Sequence, residues 1–290
     1  MNNYLDIING KLKEYLSLRD QGAQTLIDAM DYSLSLPGKR VRPTLTLEFC
    51  RLCGGEVENA LPFACAVEMV HTFSLIHDDM PCMDNDDFRR GKPSNHKVYG
   101  EDIALLAGDA LMIRAYEVML SKDTVEKVGA ENTAKAALLL SEKSGVLGMA
   151  GGQVIDLESE GKNVGIDILT EMDNRKTAAL IEAACMMGCI AASADDEQIK
   201  AAEKYAHHIG IAFQIVDDIL DVTSTTEVLG KAVGSDENNK KSTYVSLLGL
   251  DRCRELVDEY TKDAVRALSV FDADTSSLEE FAYMLKNRKK

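Results

Sequence analysis

Apolar residues recur at helical spacing along most of this chain, and no run of useful length alternates with the period of a strand. The pattern predicts a helix with Pro43 in its first turn, ended by Gly54-Gly55. A long apolar segment follows from Glu56 to His77, and Pro81 stops it. Further helices are predicted over roughly 102–121, 130–147, 169–191 and 197–222, with two more over about 243–268 and 278–287. Two stretches, ALLAGDALMIRAYEVML and AALIEAACMMGCIAA, are apolar over most of the helical circumference. Such helices lie inside a large bundle rather than on its surface. There is no Ser/Gly/Pro-rich linker and no repeat. The expectation is an all-α fold, a single large helical bundle over residues 1–290 with amphipathic helices sheathing central ones.

Composition narrows the function. Hydrophobic content of 46% and charged content of 28% are ordinary for a globular chain of 290 residues. The formal net charge is −16 and the pI about 4.8. A bulk field of that sign repels phosphate, which argues against nucleic acid or an anionic membrane as the main partner. An anionic ligand needs a local cationic site or a bound metal. No apolar run approaches a membrane span, and Met1 to Arg19 is interrupted by Asp6, Lys11, Lys13 and Glu14, unlike a signal peptide. Seven scattered cysteines, an odd number, suit a reducing cytoplasm. Cys50 and Cys53 form a CxxC with no second CxxC to complete a zinc site, and read as two small apolar residues on a buried helix face.

Two acidic clusters interrupt apolar helices: Asp78, Asp79 and Asp84 in LIHDDMPCMDNDDF, and Asp217, Asp218 and Asp221 in FQIVDDILDV. Offsets of 0, 1 and 4 place the second triplet on one helix face, with Ile215, Val216, Ile219 and Leu220 around it. Like charges on a partly buried face repel and lose hydration, and no Lys or Arg lies within a turn. A divalent cation resolves the conflict. In the first triplet Pro81 breaks the helix, so Asp78 and Asp79 fall at a helix C-terminus, where the macrodipole disfavours them. A loop folded back would let Asp84 share a metal with Asp78. Carboxylates without a His/Cys cage suggest magnesium, which keeps waters and takes further ligands from phosphates. Against these stand short basic groups: Gly38-Lys39-Arg40-Val41-Arg42-Pro43, Arg89-Arg90-Gly91-Lys92, Arg175-Lys176-Thr177, Gly230-Lys231 and Lys240-Lys241-Ser242-Thr243. Each alone reads as a solvated loop; with two metal clusters they read as diphosphate receptors.

The ensemble resembles the trans-isoprenyl diphosphate synthases, closest to bacterial farnesyl diphosphate synthases. DDMPCMD (Asp78 to Asp84), FQIVDDILD, GKRVRP, LAGDAL, GGQVIDL, KTAAL and LGKAVGSDENNKKSTY stand in that family's order. The resemblance implies an isoprenoid synthase bundle with a central substrate cavity. It implies that Asp78, Asp79, Asp84, Asp217, Asp218 and Asp221 hold three magnesium ions, with manganese a possible substitute. Lys39, Arg42, His71 and Arg90 would bind isopentenyl diphosphate; Arg89, Lys176, Lys231 and Lys241 would grip the allylic diphosphate. Thr177 and Gln214 would face the developing carbocation, and released pyrophosphate would take the final proton. It also implies a homodimer. Helical geometry alone nominates Ser74 as the residue beneath Asp78. The resemblance nominates Phe73 instead, as an aromatic floor that stops the product at fifteen carbons, with geranylgeranyl diphosphate as the alternative product.

Other readings remain open at this point. His77-Asp78 is a literal His-Asp pair, as in one class of metal-dependent phosphohydrolase, but that reading leaves the second triplet and GKRVRP unused. A terpene cyclase shares a DDxxD but needs no isopentenyl site. A non-catalytic synthase subunit would carry damaged aspartate motifs, and both are intact here.

Overall fold

The computed structural model describes residues 4–223 and 242–288. Helices dominate, and among the described residues the β structure is one short antiparallel hairpin, β1 (Phe88–Arg89) with β2 (Lys92–Pro93). The long helices stand where the apolar periodicity places them: α3 (Val41–Leu52), α4 (Val57–Asp78), α6 (Glu101–Met119), α8 (Ala130–Ser144), α11 (Ala179–Ala191) and α12 (Asp196–Thr223). Pro43 lies in the first turn of α3, where no N–H is needed, and Gly54, at φ 76°, ends the turn beyond it.

Periodicity missed the shorter amphipathic elements: α1 (Leu5–Tyr15), α2 (Gln24–Leu34), α5 (Asn95–Tyr99), α7 (Lys122–Val128) and α9 (Met149–Ser159). Two predicted helices are also interrupted. The one over 169–191 divides into α10 (Ile166–Asp173), a π turn at Asn174–Ala178, and α11. The one over 243–268 divides at Gly249, φ 80°, into α13 (Tyr244–Leu248) and α14 (Leu250–Ala267). The last described helix is α15 (Ser276–Lys286).

Helix α4 is the axis. Thirteen of its 22 residues are buried, from Ala60 to Ile76, against α3, α6 and α11. It is long and apolar enough to cross a membrane although charged residues interrupt its apolar run, but 72% of its most apolar window is covered by the rest of the fold. A second apolar cluster joins α3, α11, α12 and α15 around Phe49 and Tyr205. A third joins α10, α12, α13 and α14 around Ile215 and Val257. Both acidic triplets lie at or near the C-terminal ends of long core helices, α4 and α12.

Candidate active site

A cavity of about 320 Å³ opens between α3, α4, α9 and the π turn. Arg42, His71, Asp78, Lys176 and Thr177 line it with Phe73, Ser74, Met149 and Leu180. Both residues nominated as its floor, Phe73 and Ser74, therefore face it. Phe73 meets the His77 ring edge-on, with centroids 5.3 Å apart. A wider groove of about 650 Å³ lies elsewhere, between α12 and α14, and contains none of the residues singled out from the sequence.

The loop after α4 folds back as its proline suggested. Asp84 donates its amide to the Asp78 carbonyl at 2.9 Å, bringing the last residue of the motif back to the first. Burial pushes the Asp78 pKa up to about 6, and Asp84 adds to the rise, while Lys176 opposes it. Asp79 takes another direction. It is 2% exposed and accepts from Arg89 Nε at 2.8 Å and from Arg89 Nη2. Arg89, expected at a diphosphate, is thus tied to a motif aspartate in this structure.

The GKRVRP segment sorts its cations. Arg40 is wholly used by the fold: it pairs with buried Glu68 at 2.7 Å and donates to the Leu34 and Leu36 carbonyls and to Asn9. Lys39 is exposed. Arg42 faces the cavity, and its buried Nε has no hydrogen-bond partner. Burial lowers the Arg42 pKa, with Arg90 adding to the depression and Glu68 opposing it. Burial also holds His71 well below its ordinary value, helped by Arg42 and Arg90, so its imidazole is neutral near pH 7. Arg90, in a left-handed conformation at φ 51°, slides under Gly38, where a Cβ would sit 2.6 Å from Arg90 Nη1. An acidic protein has here concentrated cations that repel one another and lack a full set of anionic partners, a seat for a multivalent anion.

The π turn presents Lys176 and Thr177 to the cavity. Such turns insert one residue into the helical register and recur at functional sites. Lys176 Nζ meets Asp156 Oδ2 of α9 at 2.5 Å, and Gly152 allows α9 to press against the Lys176 backbone, 2.7 Å separating a would-be Cβ from its Cα. Behind Lys176 lies Asp173, 3% exposed. Burial and the Asp156 charge push its pKa up to about 7, while the nearby Tyr244 and Gln214 side chains and the charge of Lys176 oppose the rise. Gln153 also lines the cavity, its Nε2 buried without a partner. Asp156 and Gln153 sit in the GGQVIDL motif, which was legible as a block but not residue by residue; Asp173 carried no sequence signal.

On α12 the second triplet is anchored from outside its own helix. Asp218 Oδ2 accepts from the Tyr244 amide at 2.7 Å, Asp221 is 3% exposed, and Asp217 accepts from Arg288. The absence of a nearby cation expected from sequence is corrected here, because Arg288 arrives from a position 71 residues away. Lys231 and Lys241 lie outside the described residues. Among the described residues no three carboxylate, His or Cys side chains converge on one point. The acidic groups are nonetheless hard oxygen donors, and the raised pKa of Asp78 records a carboxylate whose burial outweighs the pull of Lys176 and Arg89. They suit magnesium or manganese, which would complete its coordination with water and phosphate oxygens.

The family model described as polyprenyl synthetase matches residues 23–280. The large subunit 1 of a heterodimeric geranylgeranyl pyrophosphate synthase from Arabidopsis thaliana is 45% identical over 272 residues, 93% of this chain and 73% of that one. A dimethylallyltranstransferase from Fischerella ambigua is 43% identical, covering 93% and 82%. Among solved structures, an FPP/GFPP synthase from Zymomonas mobilis superposes with a TM-score of 0.85 at 34% identity, covering 97% and 95% of the two chains. A geranylgeranyl pyrophosphate synthetase from Pyrococcus horikoshii gives 0.88 at 30%, covering 98% and 95%.

Proposed function

This chain belongs to the polyprenyl synthetase family and is a trans-prenyltransferase acting on isoprenoid diphosphates, and we propose that it condenses isopentenyl diphosphate with dimethylallyl and geranyl diphosphate to give farnesyl diphosphate. The observation that carries this reading is the division of the cavity mouth. Arg42 and His71 line one side, with the charge of Arg90 acting on both, while Asp78 and Lys176 line the other, with the charge of Asp84 acting on Asp78. Isopentenyl diphosphate, with Lys39 reaching it from solvent, occupies the first. The allylic diphosphate occupies the second, gripped by Lys176 and, once Asp79 releases it, Arg89, together with Lys231 and Lys241.

Asp78, Asp79 and Asp84 with Asp217, Asp218 and Asp221 would hold three magnesium ions, which supply Lewis-acid stabilisation of charge on the leaving diphosphate. The protein's own part is to orient. Lys176 is fixed by Asp156, so its ammonium adds charge at a set position. Thr177 and Gln214 direct oxygen dipoles at the carbon that becomes cationic. His71, uncharged, donates a hydrogen bond without adding to the crowd of positive charge. The apolar wall of Phe73, Met149 and Leu180 takes the hydrocarbon tail.

Phe73 beside Ser74 supports a fifteen-carbon stop, since one more isoprene unit would overpack a ring closing the tunnel. A twenty-carbon product is the second reading, favoured by curated relatives named geranylgeranyl pyrophosphate synthase at 45–49% identity. Chromatography of products after incubation with isopentenyl diphosphate and each of dimethylallyl, geranyl and farnesyl diphosphate decides. Extension of farnesyl diphosphate to twenty carbons as the main reaction would sink the first reading; no incorporation at all would sink both. We further propose a cytoplasmic homodimer. Exposed Leu106 and Ile113 of α6, Leu138 of α8 and Val154 of α9 offer an apolar surface for a second copy.

A further inference from the structure

The CxxC pair read as two buried residues divides in the fold. Cys50 is fully buried on α3 and hydrogen-bonds the Glu56 carbonyl at 3.4 Å. Cys53 caps the C-terminus of α3, is partly exposed, and meets buried Cys189 of α11, 136 positions along the chain, with 3.6 Å between the sulfurs. Close packing of the two helix ends makes this possible. At Gly188 of α11 a methyl group would run into the Thr46 carbonyl and lie 3.0 Å from the Cys50 amide nitrogen. At Gly55, just beyond α3, a methyl would lie 2.6 Å from Ala192 Cβ. The backbones therefore approach closely at this seam. A disulfide needs its sulfurs about 2.05 Å apart, a gap that a side-chain rotation of Cys53 can close.

The two thiols differ as an attacking and a resolving group do. The hydrogen bond with Cys189 holds Cys53 below the ordinary thiol range, whereas that bond and burial push Cys189 well above it. Cys53 is the solvent-facing thiolate former, and Cys189 waits behind it. No metal reading competes, because among the described residues no third Cys, His, Asp or Glu joins the pair as a ligand group.

We propose that Cys53 and Cys189 form a reversible disulfide on exposure to a low-molecular-weight disulfide, stapling the C-terminal ends of α3 and α11. The Cys53 thiolate attacks one sulfur of the small disulfide, forming a mixed disulfide and releasing one thiol. The Cys189 thiolate then attacks the Cys53 sulfur and expels the second thiol. The two protein thiols are oxidised, the small disulfide is reduced, and the two protons lost by the protein end on the released thiols. Both helices carry cavity residues at their opposite ends: Arg42 in the first turn of α3, Lys176 and Thr177 just before α11. Arg42 and Cys53 are roughly 16 Å apart along the helix. The staple fixes the spacing of these two helices from the end remote from the cavity, and it stands on the fold whatever the product length.

The test uses the full chain in a Cys82→Ser background, because Cys82 is exposed and would compete for the small disulfide. The protein is incubated with glutathione disulfide, alkylated under denaturing conditions and peptide-mapped without reduction. The expected result is a Cys53 peptide linked to a Cys189 peptide and, before alkylation, an intact mass lower by two hydrogens. Tm should rise by roughly 5–10 °C, and dithiothreitol should reverse all three changes. Cys189→Ala should accumulate glutathione on Cys53, and Cys53→Ser should leave Cys189 unmodified. With Cys189 present, a lasting glutathione adduct on Cys53, a Cys50–Cys53 bridge or two unmodified thiols would each overturn the proposal. So would glutathione on Cys189 of the Cys53→Ser protein.

Discussion

Arg288 closes over Asp217: its guanidinium donates to the carboxylate and stacks 4.1 Å above the Phe213 ring one helical turn earlier. A protein cation therefore occupies one corner of the acidic triplet that is proposed to receive metal. Metal binding has to compete with it. Arg288→Ala should lower the magnesium concentration giving half-maximal activity by roughly 1.5–5-fold, about what one partly exposed ion pair contributes. A magnesium titration of initial rates checks this; an unchanged or higher requirement would show that Arg288 does not compete.

Removing a carboxylate should cost far more. Asp78→Ala or Asp217→Ala should reduce turnover roughly 100-fold or more, since each removes an oxygen donor that anchors charge at the leaving group. Circular dichroism should remain that of a helical protein. Near-wild-type turnover in either folded variant, or activity surviving excess chelator, would refute the metal assignment.

Arg42 and Lys176 sit in different seats, so the Michaelis constants should separate them. Arg42→Ala is expected to raise the constant for isopentenyl diphosphate about 10-fold or more while moving that for geranyl diphosphate less. Equal shifts would mean the cluster around His71 does not discriminate the two substrates.

For product length, Phe73→Ala should lengthen the main product by at least one isoprene unit with the ionisation chemistry intact. Ser74→Phe, on the adjoining wall, should shorten it. Chromatography of the extracted products reads both. If Phe73→Ala stops where the parent protein stops, another side chain forms the floor.

Asp173 provides a pH test on stability. Its pKa rises from 3.8 unfolded to about 7 folded, so the native state holds the proton more tightly. Stability therefore falls as pH rises from about 4 to about 7 and is level above that. Asp173→Asn keeps a neutral polar group in place and should remove this slope. The variant should match the parent near pH 4 and exceed it by about 1–4 kcal/mol at pH 8. Denaturant unfolding at the two pH values decides, and a parent-like slope in the variant would remove Asp173 as its source.

What could be read from the chain alone was what local periodicity and motif spacing encode. The core helices, the break after Asp78 and the return of Asp84 follow from apolar spacing and Pro81. The π turn does not, because it depends on partners remote in sequence: Gly152 against Lys176, and Gly210, where a Cβ would lie 2.6 Å from Ala178 Cβ. Arg288 on Asp217 and Asp156 on Lys176 are likewise contacts between helices. The basic segment was legible as a group, but the division between Arg40, spent on Glu68, and Arg42, turned to the cavity, needed the fold. Asp79 was grouped with Asp78 by adjacency, whereas one residue of helical rotation sends it to Arg89.

Gly38 carries a consequence for inheritance. Its backbone is not in a conformation reserved for glycine, so alanine or serine there would leave the chain able to fold. Yet any Cβ intrudes on the volume that Arg90 fills. Every glycine codon is a single base change from an alanine codon. The position is therefore one where a minimal genetic step produces a folded, abundant protein with a disturbed substrate seat, a lesion that expression levels and melting curves would not reveal and only a substrate titration would.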